Sequence, residues 1–90
     1  MFYVYVLIST RDGELYIGST NDLKKRFREH NSGKVPSTKT RTPFHLLYYE
    51  AYSAEVDARK REARLKQRGQ ARVHLLKRLS GSIALFQNET

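Results

Sequence analysis

Three small sets of residues stand out because their types and spacing could do chemistry. Ala58, Glu62 and Leu65 fall at i, i+4 and i+7, one face of a helix, whose outward arc carries Arg59, Lys60, Arg61, Arg64 and Lys66. A carboxylate facing a core is costly unless it is paired or binds a metal. Glu62 is therefore either half of a helix salt bridge or a cation ligand, and the pattern leaves both open. Arg26 and His30 form an i, i+4 pair beside Leu23 and Phe27. A guanidinium and an imidazole on adjacent turns could hold a phosphate between them, or be solvated surface. Tyr5, Tyr16 and Gly18 are the third set, two phenols and a gap, with core packing as the competing role for the tyrosines.

The elements that must position these groups are legible from pattern. Phe2 to Ser9 is dense in β-branched and aromatic residues and apolar on both faces, which predicts a central strand. Asp12-Gly13 predicts a hairpin turn, with Leu15 to Ser19 returning. A loop of two or four residues centred on that dipeptide pairs Ser9 with Tyr16 and Leu7 with Gly18. Tyr5, Tyr16 and Gly18 then share a face, with Gly18 a hole open to a ligand or backbone. A three-residue loop would put the two phenols on opposite faces.

Thr20-Asn21-Asp22 supplies N-cap types ahead of a helix from Leu23 to His30, and Gly33 ends it. Lys34 to Pro43 reads as a basic loop, Phe44 to Tyr52 as a third strand. A second helix starts at Ser53 or Ala54 and runs to about Arg68. A third spans Gln70 to Leu79, after which Ser80-Gly81-Ser82 ends the regular structure. The order β-β-α-β-α-α predicts an α+β domain, a small three-stranded antiparallel sheet flanked by helices, over residues 1–80. Residues 81–90 are expected to be a C-terminal tail, either packed or frayed.

Composition limits what such a domain does. The 90 residues allow one core, and the absence of cysteine excludes disulfides, thiolate nucleophiles and cysteine zinc sites. Seventeen Lys+Arg against nine Asp+Glu give a net charge of +8, a field whose usual partner is a polyanion. Residues 24–41 alone hold seven cationic side chains against Glu29, and residues 54–79 hold nine against three acids. Lys24, Lys25, Arg28, Lys34, Lys39 and Arg41 are the expected contacts to a nucleic-acid backbone, the loop acting as a rim rather than a base reader. The apolar run at Phe2 to Ile8 follows no basic residues and is too short to span a bilayer, so a soluble, cytoplasmic protein without membrane partners is expected.

Together these residues resemble the GIY-YIG nuclease family. Tyr3-Val4-Tyr5 stands where the family has Gly-Ile-Tyr, and Tyr16-Ile17-Gly18 is an intact Tyr-Ile-Gly. Asp22 to Phe27 followed by His30 matches the next segment, and Arg61-Glu62 before Leu65-Lys66 matches the one carrying the family's metal-binding glutamate. The likeness spans about residues 2–79 and is strongest to the short bacterial UPF0213 branch. Two departures are plain: Tyr3 replaces a glycine, and no residue matches the asparagine many members carry late in the domain.

The resemblance implies a metal-dependent endonuclease cutting phosphodiester bonds with one divalent cation, Mg²⁺ or Mn²⁺. It makes Tyr5, Tyr16, Arg26, His30 and Glu62 the catalytic set, with Glu62 the sole protein ligand of the metal. Arg26 would share charge on the phosphate, Tyr5 or Tyr16 would orient or deprotonate the attacking water, and His30 would hydrogen-bond a tyrosine hydroxyl or relay its proton. A phenol near pKa 10 is a poor base, so surrounding positive charge is expected to lower it. The substrate is expected to be nucleic acid, DNA ahead of RNA, with low sequence specificity and a leaning to single-stranded or branched forms. The protein is expected to act as a monomer or weak dimer. The competing expectation is a catalytically weak nucleic-acid-binding module that guides a partner.

Overall fold

Strand β1 (Phe2–Ser9) is almost wholly apolar, so neither of its faces can be left to water. In the computed structural model, which describes residues 1–87, β1 is the central strand of an antiparallel sheet. It lies between β2 (Leu15–Thr20) and β3 (Phe44–Tyr52), in the order β2-β1-β3. The helices are α1 (Leu23–Asn31), α2 (Glu55–Lys66), α3 (Gln70–Arg78) and α4 (Ser80–Gln87), with a 3₁₀ turn at Lys39–Arg41. The expected α+β architecture and its β-β-α-β-α-α order are present.

The alternation of β1 divides the interior in two. Val4, Val6 and Ile8 join Ile17, Leu47, Ala58, Leu65, Leu75 and Leu79 on the face covered by α2 and α3. Tyr5, Leu7 and Phe44 occupy the other face, beneath Leu23 and Phe27 of α1. The second cluster holds Tyr5, with Tyr16 packed against it.

The hairpin register differs from expectation by one pair. Leu7 faces Tyr16 and Tyr5 faces Gly18. The loop is Thr10 to Gly13, closed by the Ser9 amide donating to the Glu14 carbonyl at 3.0 Å. Asp12-Gly13 ends the loop rather than centring it, because buried Ser9 Oγ accepts from the amides of Arg11 and Asp12 and pulls the turn toward β1. A two-position shift keeps side-chain parity, so Tyr5, Tyr16 and Gly18 still share a face.

Regular structure also continues past Ser80-Gly81-Ser82, into α4. Ile83 and Phe86, one turn apart, pack on the core, and Phe86 stacks on His45 with centroids 4.4 Å apart. Apolar contact outweighs the weak helix propensity of Ser-Gly-Ser. The last part of the tail, residues 88–90, lies outside the described residues.

Candidate active site

Helix α1 begins where Asp22 accepts the Lys25 amide at 3.1 Å, a side-chain cap that sets its rotational phase. Leu23 and Phe27 then pack on the sheet, Arg26 falls beside the Tyr5 phenol, and His30 falls beside both Tyr5 and Tyr16. His30 is completely buried. Its Nε2 lies 2.9 Å from the Tyr5 hydroxyl and its Nδ1 2.8 Å from Thr38 Oγ1. The Tyr16 ring meets the imidazole edge-on, with centroids 4.9 Å apart.

Burial, reinforced by the positive charge of Arg26, pushes the His30 pKa down to about 4. The ring is therefore neutral at pH 7 and carries one N–H. The Thr38 hydroxyl points at the Val35 carbonyl, 3.5 Å away, so its oxygen is left to accept from Nδ1–H. Nε2 is then the acceptor, and Tyr5 donates its O–H to it. Thr38 is a member of this chain that sequence reasoning missed; one threonine in a loop rich in Ser and Thr carries no distinguishing signal.

Tyr5 departs from the electrostatic expectation. Burial pushes its pKa up to about 12, outweighing the Arg26 guanidinium beside it. Nor is the gap at Gly18 open. A β-carbon there would stand 2.6 Å from Tyr5 Cζ, so the phenol itself fills the hole. Tyr16, by contrast, is part-exposed and lines a groove of about 270 Å³ with Lys66, Arg68 and Arg72.

Of the two readings of the Glu62 pattern, the structure contains the helix salt bridge. Ala58 and Leu65 are buried on either side, and the carboxylate turns toward β2, only 19% exposed. Oε1 accepts from Ser19 Oγ at 2.5 Å, and Oε2 pairs with Lys66 Nζ at 2.8 Å. Burial alone would raise its pKa, but Lys66 and Ser19 together hold it below the ordinary carboxylate value. Its charge also reaches Tyr5, where it opposes ionisation of the phenol.

Among the described residues no three His, Cys, Asp or Glu side chains cluster as a metal cage. One ionised carboxylate, with a serine hydroxyl next to it, nevertheless suits a hard cation that keeps its waters and takes its other oxygens from a phosphate. Lys66, its present partner, is 53% exposed. The donor set thus fits one Mg²⁺-like ion and not a fully protein-ligated site.

Arg61 is not on the outward arc. It folds onto β3, where Nε donates to Glu50 Oε1 at 2.6 Å, and Tyr48 and Tyr52 donate to the same carboxylate. Among the expected backbone contacts, Lys25 lines, together with Arg26 of the catalytic set, a cleft of about 390 Å³ between the end of β2, α1 and α2. Lys24 borders an adjoining hollow. Arg28, Lys34 and Lys39 are exposed and line neither. Arg41 is engaged internally, with Nε 2.7 Å from Asp12 and the guanidinium over the Phe44 ring. The cations beside Tyr16 (Lys66, Arg68 and Arg72) were visible in the sequence only as part of a basic stretch.

Comparison with known proteins identifies the family. The model of the GIY-YIG catalytic domain matches residues 1–75. The UPF0213 protein SAG0778 of Streptococcus agalactiae is 45% identical over 67 residues, 73% of this chain and 75% of that protein. A UPF0213 protein of Bacillus pumilus is 46% identical over 65 residues, 71% of this chain and 65% of its own. The solution structure of the UPF0213 protein BH0048 from Bacillus halodurans superposes with a TM-score of 0.56 at 31% identity, covering 98% of this chain and 95% of that one. With a catalytic-domain match over most of its length and relatives this similar, the chain belongs to the GIY-YIG family, in its UPF0213 branch.

Proposed function

We propose that this protein is a metal-dependent endonuclease of the cytoplasm that hydrolyses phosphodiester bonds in DNA with low sequence specificity, favouring single-stranded or branched forms. Family membership implies nuclease activity and a nucleic-acid substrate. The observation that carries the rest is the buried Tyr5–His30 hydrogen bond with Arg26 beside it, on the face that also presents Tyr16. Tyr5, sealed from solvent and held as a neutral phenol, is a positioning residue: it fixes His30 and the guanidinium. Tyr16, at a solvent-facing groove among cations, is the phenol able to touch and orient the attacking water.

Arg26 lines the cleft and shares the charge that develops on the phosphate oxygens. Neutral His30 accepts the Tyr5 O–H at Nε2, which keeps both groups uncharged and fixes the phenol in place. Glu62, with Ser19 at its side, would hold one Mg²⁺ or Mn²⁺. Such an ion supplies charge neutralisation at the phosphate and the leaving oxygen.

A second reading has one observation in its favour. Lys66 already neutralises Glu62, as it would in a catalytically weak module that binds nucleic acid and guides a partner. The discriminating experiment incubates single-stranded, duplex and branched DNA with wild type and Glu62→Gln, in Mg²⁺, Mn²⁺ or chelator. Cutting that needs metal and vanishes in Glu62→Gln, with binding nearly unchanged, supports the nuclease. Absence of any nicking by metal-loaded wild type overturns it.

A further inference from the structure

Beside the cleft lies a second hollow, of about 460 Å³, that the cleavage site does not use. Its base is aromatic. Tyr3 and Tyr49 meet edge to face, with centroids 6.0 Å apart, and Tyr49 is 53% exposed although it sits in the middle of β3. Phe27 and Leu46 form the apolar wall, and the exposed residues Lys24 and Asn21 stand at its border.

Resting on the nuclease reading above, we infer that this hollow is a nucleobase site. It takes one unstacked base of the strand whose phosphate lies in the neighbouring cleft. Two features favour that occupant. The hollow adjoins the cleft, with Asn21 and Asp22 lining both, and the cleft holds Lys25 and Arg26 for the backbone. The combination of aromatic faces with flanking cations also matches what an unpaired strand requires. Stacking needs only the π-face that every base has, Lys24 meets a phosphate, and an amide such as Asn21 can bond a base edge. A paired base is already stacked and cannot enter.

The test is equilibrium binding in chelator, where no cutting occurs, of wild type, Tyr49→Ala and Tyr49→Phe. The probes are a fluorescent single-stranded oligonucleotide and an abasic strand of the same length, which keeps the phosphates and lacks the bases. Wild type should prefer the base-bearing strand by about tenfold, the low end for one base on an aromatic platform. Tyr49→Ala should lose most of that preference while binding the abasic strand as before, with an unchanged salt slope. Tyr49→Phe should keep it. Equal binding of both strands by wild type overturns the inference, as does a uniform loss in Tyr49→Ala. A Tyr49-dependent dimer in sedimentation, with strand preference intact, also overturns it in favour of a second copy. Wild type that binds neither strand would instead bring down the nuclease reading on which it rests.

Discussion

Tyr5 and Gly18 are opposed across the β1–β2 pair, and the end of the phenol lies where a side chain at position 18 would begin. The glycine of Tyr-Ile-Gly is therefore required by a neighbouring side chain and not by its own backbone, which is ordinary extended strand. Its absence of a Cβ is what allows a bulky phenol to lie flat against the strand and reach His30.

Gly18→Ala should consequently act through Tyr5. Backbone and sheet hold position 18, so the phenol must move, breaking the 2.9 Å bond to His30. Overpacking of this kind costs about 1–3 kcal/mol. Chemical denaturation should show that loss, and DNA cutting should fall by about 100-fold or more.

The two phenols should separate in a pair of single-atom deletions. Tyr5→Phe removes a buried hydrogen-bond donor and leaves Nε2 unpaired, costing about 1–3 kcal/mol of stability as well as activity. Tyr16→Phe, at a part-exposed position, should leave stability within about 0.5 kcal/mol and lower the turnover rate by about 100-fold. Denaturation midpoints and single-turnover rates measured together check the assignment; the reverse pattern would exchange the roles.

His30 links stability to pH. Its folded pKa, about 4, lies below the ordinary 6.5 of an exposed imidazole, so protons bind the unfolded chain first. Its contribution is fully present above about pH 6.5 and is lost as pH falls from there to about 4. The loss should be up to about 3 kcal/mol. The carboxylates held low, Asp12 at about 2 and Glu50 and Glu62, lose their contributions at more acid pH. Urea unfolding at pH 7 and pH 4.5 should show the slope, and His30→Gln should flatten it.

Glu50 anchors the opposite face. Its carboxylate, 19% exposed, takes two phenol hydrogens and the Arg61 guanidinium. Glu50→Gln should cost about 1–3 kcal/mol, because the arginine loses its countercharge while still half-buried. DNA cutting at a temperature where the variant is folded should be unchanged, marking Arg61 as scaffold although it adjoins Glu62.

Strand and helix identities follow from the sequence by itself, because apolar periodicity and caps act locally. The unbroken apolar run made β1 central, Asp22 started α1, and the spacing of Ala58 and Leu65 turned Glu62 inward. Local pattern left Tyr5, Tyr16, Arg26, His30 and Glu62 open between chemistry and packing, and the family resemblance singled them out. Only the tertiary structure decided which neighbours they meet. Desolvation of Tyr5, the Thr38 partner of His30, and Lys66 on Glu62 depend on groups far apart in the chain or on rotamers no pattern encodes. The withdrawal of Arg61 and Arg41 from the surface has the same origin, since each answers an acid on another element, Glu50 and Asp12. Packing likewise formed α4, where Ile83 and Phe86 gain more from the core than Ser-Gly-Ser loses in propensity.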